Sequence, residues 1–225
     1  MKKASNFLDF SSMKSSSYNS FGPKPLGNFY EFYLSGEIGD AEEYIDWFDT
    51  IRHADEGDVI KIYINSPGGN LYTAIQFMRV MSESNATIIS SVEGACMSAA
   101  TIIFLCSDSF EVTPHSVFMF HNYSGGTMGK GGEMITQLIH EKKWTENIFN
   151  TVYKGFLTDQ EINGIIEDKD IWMDGDEVIT RMNKMLAAQP KDSEEEKEEE
   201  VKSEPKPKVP SKRKPQNNAE NAKTE

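Results

Sequence analysis

The chain has 225 residues, with 23 Lys and Arg against 36 Asp and Glu, a formal charge of −13. Its 38% hydrophobic content is low for a compact domain. The deficit is local, because residues 190–225 hold only Val201, Val209, Ala219 and Ala222 as apolar residues. That tail is nearly neutral, with nine basic against ten acidic residues. The negative charge therefore belongs to the body, which excludes nucleic acid as the main partner of the folded part, since phosphate binding needs a basic face. The longest central apolar run, Ala99 to Cys106 broken by Thr101, is far short of the ~20 residues that span a bilayer. Lys2 and Lys3 precede no long apolar stretch, so no secretory signal is expected. Cys96 and Cys106 read as reduced, buried thiols of a cytoplasmic protein.

Residues 1–28 are expected to form a flexible leader rich in serine. Phe29 to Leu34 is an aromatic-rich strand candidate. Ala41 to Ile51 carries Ile45, Phe48 and Ile51 at helical spacing. Val59 to Ile64 is a β-branched strand that ends in the turn residues Asn65, Ser66, Pro67, Gly68 and Gly69. Leu71, Ala74, Ile75, Met78 and Met81 share one helical face. Ala86 to Val92 is a strand, followed by Gly94 and a helix of small residues from Ser98 to about Cys106. Phe110 to Val112 and Val117 to Phe120 are short strands. After the glycine-rich stretch Ser124 to Gly132, a helix of about 25 residues is expected, with Met134, Leu138, Ile148 and Val152 inward. Thr158 with Glu161, and Asp174 with Glu177, are N-terminal signatures of two more helices. Strands alternating with helices predict an α/β domain over 29–189 with a largely parallel sheet. The charged run 190–225 predicts a disordered tail.

Three segments carry groups suited to chemistry. In Gly94–Ala100 a serine enters a helix directly after a buried strand. There, free amides and the positive helix end suit an oxyanion; the plain alternative is a helix cap. In Asn65–Gly69, adjacent glycines let amides face a ligand without a Cβ in the way, or form an ordinary turn. In Phe118–Asn122, His121 ends an apolar strand and is either a general base or a core histidine. His115 lies in a turn, and His53 and His140 lie among polar helix neighbours. The segment Gly126–Gly131 lacks phosphate-loop spacing, Ser98 has no flanking glycines of a nucleophile elbow, and no His or Cys pairs have metal spacing.

Taken in order, these segments resemble the proteolytic subunit of the Clp protease, ClpP, from about Phe32 to Leu186. Ile62–Gly69 is similar to the family's most recognisable run, Ser98 falls where the family places its nucleophile, and Pro114–His121 resembles its segment ending in the catalytic histidine. The resemblance implies a ClpP/crotonase-like fold of repeated β-β-α units with a protruding handle helix after Ser124–Gly126. It implies a serine endopeptidase with Ser98 as nucleophile, His121 as base and an acid just before a short apolar strand. That acid is Asp170, counting back from Ile171–Met173, with Asp168 as the alternative. The amides of Gly69 and Ala99 would form the oxyanion hole, with Gly68 shaping the turn. No metal or cofactor is implied. Implied partners are unfolded or precursor proteins as substrates, further copies in heptameric rings stacked in pairs, and an ATP-driven unfoldase of the AAA+ type. Met97 stands where the family has an alanine, and Asn122 and Tyr123 where it has glutamine and proline. The ends and charged tail resemble those of bacteriophage ClpP-like proteases. The alternatives are a non-catalytic ring subunit and a crotonase-type acyl-CoA enzyme.

Overall fold

A computed structural model describes residues 27–187. The tail expected over 190–225, and all but the last two residues of the expected leader, lie outside the described residues. The strands are β1 (Phe29–Ser35), β2 (Val59–Ser66), β3 (Thr87–Met97), β4 (Ser109–Val112), β5 (Val117–Phe120) and β6 (Ile171–Asp174). The helices are α1 (Ile45–His53), α2 (Leu71–Glu83), α3 (Ala99–Leu105), α4 (Gly131–Val152), α5 (Asp159–Ile166) and α6 (Gly175–Ala187). They form one mixed α/β unit with the sheet order β1-β2-β3-β5-β6, and β4 also pairs with β3.

The first strands are joined by helical crossovers, which is why they run parallel. Alternation sets their faces. Ile60, Ile62 and Ile64 of β2 are buried, while Lys61 and Tyr63 point to the other face, where Tyr63 stacks on Tyr33 at 4.7 Å. On the buried side an aromatic cluster of Tyr44, Phe48 and Phe77 joins α1 to α2. The helical spacing of Ile45, Phe48 and Ile51 does not by itself give the buried face. A 3-10 turn over Ala41–Tyr44 precedes the helix, so Tyr44, Phe48 and Ile51 face the core while Ile45 is exposed. In α2 the buried face is Ala74, Phe77, Met78 and Met81 with Val80, and Leu71 and Ile75 flank it. That face includes Phe77, which the apolar spacing passed over.

Strand β3 positions the site. Its first half pairs with β4 (Ile89 opposite Ser109) and its second half with β5 (Ala95 opposite Val117). Between Ile64 and Ser66 its register with β2 shifts, from Val92 opposite Ile64 to Cys96 opposite Ser66. Extra residues on β3 bend it there, as a bulge does. Asn65 braces the bend by accepting the Ala95 amide at 3.1 Å. The bend brings the end of β3 beside the Pro67–Gly69 turn.

Helix α4 is also corrected. It spans 22 residues, but only its C-terminal part packs: Ile148, Phe149 and Val152 are buried, whereas Ile135, Leu138 and Ile139 are exposed. The first turns project from the body, so periodicity marked an apolar stripe there that is exposed among the described residues. The two helix-start signatures hold. Thr158 and Glu161 form a capping box, and Asp174 accepts the Glu177 amide at 2.9 Å. Arg181 of α6 grips Glu161 through two hydrogen bonds of 2.9 and 2.7 Å, which holds the Glu161 carboxyl down at about 2.

Candidate active site

The candidate site lies beyond the C-terminal ends of the parallel strands β2, β3 and β5, the usual place for a ligand crevice in an open α/β sheet. Ser98 leaves β3 and His121 leaves β5. Because these strands are neighbours, the two side chains meet: Ser98 Oγ lies 2.7 Å from His121 Nε2. Both residues are half-buried. Ser98 stands at the N-cap position of α3, as the cap reading has it, but its side chain makes no capping bond.

The main chain at Ser98 has φ 53 and ψ −128, a region costing a non-glycine residue about 1–3 kcal/mol. It is held from both sides. The Ser98 amide donates to the Met119 carbonyl of β5 at 2.8 Å, and the Ser98 carbonyl accepts from the Thr101 amide at 2.9 Å.

The turn after β2 packs against this residue. Gly68 has φ 97, and a Cβ built there would stand 2.6 Å from Ser98 Cβ, so only glycine fits. Its amide is taken by Ser66 Oγ at 3.1 Å. Gly69 bridges Ile38 through the Asn70 amide and the Gly68 carbonyl. That leaves the amides of Gly69 and Ala99 without a hydrogen-bond acceptor among the described residues. Gly69, Ala99, Ser98 and His121 line one cavity of about 410 Å³, walled by Tyr72 stacked on Trp144 at 5.2 Å.

The two candidate acids are placed differently. Strands β5 and β6 are antiparallel with Phe120 opposite Ile171. That is the last paired rung, and His121 and Asp170 are the next residues beyond it on the two strands. Asp168, at φ 64, instead accepts the Asn122 amide group at 2.8 Å. Among the described residues neither acid hydrogen-bonds to the imidazole. His115, His53 and His140 are exposed, and His53 accompanies Asp49 on α1.

Burial pushes the Cys96 thiol well up and Cys106 to about 12, so neither supplies a thiolate near neutrality. Both are free, with Cys96 buried and Cys106 half-buried. Among the described residues no helix is long and apolar enough to cross a membrane, and no cluster of three His, Cys, Asp or Glu stands ready for a metal ion.

Two groups that sequence reasoning noted but gave no role are tied into the site. Asn122 ties the loop before β6 to the end of β5. Thr101 bonds Tyr153 Oη at 2.9 Å, and its one signal was being the sole polar residue in an apolar run.

Strand ends that bring together a serine, an imidazole and two amides without an acceptor among the described residues belong to a mixed α/β fold. A family model described as Clp protease matches residues 33–181, and the chain belongs to that family. Among curated relatives, the ATP-dependent Clp protease proteolytic subunit of Bacteroides thetaiotaomicron is 29% identical over 126 residues, 55% of this chain and 57% of that one. The subunit of the same name from Porphyromonas gingivalis is 26% identical over 159 residues, 68% of each chain. That of Leuconostoc citreum is 26% identical over 153 residues, 65% of this chain and 76% of that one. The chain thus spans less than two thirds of the first relative's length.

Proposed function

We propose that the protein is a serine endopeptidase subunit of a self-compartmentalising ring. The observation that carries this reading is the 2.7 Å contact between Ser98 Oγ and His121 Nε2 beside two amides without an acceptor among the described residues. Ser98 Oγ attacks the scissile carbonyl as its proton passes to Nε2. The developing oxyanion draws on the Gly69 and Ala99 amides, and losing one such donor typically costs ~10²–10³ in rate. The imidazolium then protonates the leaving amine. Water, deprotonated by the same nitrogen, releases the acyl group from Ser98 and restores both groups. Asp170 is assigned to hold Nδ1–H and stabilise the imidazolium, on the register argument; Asp168 is already engaged by Asn122.

The exposed apolar residues of the projecting α4, Ile135, Leu138 and Ile139, support contact with a second copy, and family membership supports ring assembly as the form of that contact. Unfolded or precursor polypeptides are the proposed substrates. The relatives' names say ATP-dependent; brought to this chain, that means an ATP-driven unfoldase as partner. A crotonase-type thioester reaction gives the Ser98–His121 contact no task.

The test is reaction of the full chain with a fluorophosphonate probe. Labelling abolished in Ser98→Ala supports the serine peptidase. An unlabelled wild type of ring mass in light scattering supports the non-catalytic subunit instead, and a monomeric mass at micromolar concentration removes the ring.

A further inference from the structure

Behind Ser98 lies a second pair of hydroxyls outside the chemistry described above. The Ser98 carbonyl accepts from Thr101 twice, from the amide at 2.9 Å and from Oγ1 at 2.6 Å. Thr101 Oγ1 is also 2.9 Å from Tyr153 Oη. Thr101 is fully buried and Tyr153 is 1% exposed. Proton accounting fixes the direction. A carbonyl only accepts, so the single Thr101 hydroxyl proton lies in the short contact, and Tyr153 must donate to Thr101. Burial pushes the Tyr153 phenol up, which keeps that donor protonated.

The tyrosine is itself aimed from two directions. Its ring meets Phe120 edge-on at 5.4 Å, next to His121, and stacks on Phe149 at 5.4 Å. Its backbone ends α4, with its amide donating to the Phe149 carbonyl. A strained residue such as Ser98 persists only where its surroundings over-determine it, and this chain of hydroxyls is such a constraint.

We propose that Thr101 and Tyr153 are positioning residues, a buried relay that pins the Ser98 carbonyl and so keeps its Oγ within reach of His121. This rests on Ser98 being the nucleophile. The experiment compares full-length wild type, Tyr153→Phe, Thr101→Val and Thr101→Ser in fluorophosphonate labelling rate and in kcat and KM for a fluorogenic peptide. The expected result is labelling and kcat about tenfold lower for Tyr153→Phe and Thr101→Val, the worth of one buried hydrogen bond. KM stays unchanged, and Thr101→Ser, which keeps the hydroxyl, recovers most of the rate. Tyr153→Phe keeps the ring packing, so it remains informative if Thr101→Val fails to fold. Wild-type rates in Tyr153→Phe, or a Thr101→Ser variant as slow as Thr101→Val, overturn the relay while leaving Ser98 as nucleophile. An unlabelled wild type ends both.

Discussion

Gly68→Ala tests the packing that joins the turn after β2 to Ser98. The added Cβ would lie 2.6 Å from Ser98 Cβ, 2.8 Å from the Met97 carbonyl and 3.1 Å from the Ala99 amide. Two of these three atoms are backbone, so no flexible side-chain end absorbs the clash. Restoring ordinary contact needs a shift approaching about 1 Å, and misplacement on that scale near the reacting atoms costs about 10²-fold in rate. The positive φ adds about 1–3 kcal/mol of conformational cost, and overpacking adds about 1–3 kcal/mol. Gly36→Ala is the control, because Gly36 has φ 95 with no atom within 4 Å of its built Cβ. It should lose only that conformational part, about 1–3 kcal/mol, and keep the site intact. Urea unfolding at pH 7 and the fluorophosphonate labelling rate read both effects. Equal damage from the two substitutions, or wild-type labelling of Gly68→Ala, would refute the reasoning.

Asp170→Asn should lower peptide hydrolysis by roughly 10³–10⁴-fold if it holds the imidazole, while Asp168→Asn stays within about tenfold; steady-state kinetics of the two variants settle the order. Glu161→Gln should cost about 1–2 kcal/mol at pH 7 once solvent screening is allowed for, measured by urea unfolding. The folded-state carboxyl is lowered from 4.5 to about 2. Its contribution is therefore complete above pH 4.5 and disappears as the pH falls through about 2, where variant and wild type should converge. Phe77→Ala, which removes a ring packed against Tyr44 and Phe48, should cost about 3–5 kcal/mol in the same assay.

Local chemistry made most of the elements legible in the sequence. Val59–Ile64 is β-branched and alternates in burial, Asn65–Gly69 is turn chemistry, and Thr158 with Glu161 writes its own helix start. These signals need only neighbouring residues, so they survive without a fold. Helix phase was less legible. The 3-10 turn before α1 places Tyr44 inward and Ile45 outward, and the projecting half of α4 leaves its apolar stripe exposed among the described residues.

The order of residues nominated Ser98, His121 and the Asn65–Gly69 turn, and the family resemblance they carry implied the roles of Gly68, Gly69, Ala99 and Asp170. Tertiary structure decided what they do to one another. The register shift of β3 bends its end onto Gly68, and adjacency of β3 and β5 brings Ser98 and His121 within a hydrogen bond. The antiparallel pairing of β5 and β6 ends at Phe120 opposite Ile171, next to His121 and Asp170, while Asp168 accepts from Asn122. The Thr101–Tyr153 bond joins residues 52 apart in the chain. Side chains so distant meet only when the sheet and its covering helices are assembled, because no local period or turn preference encodes which strands lie side by side.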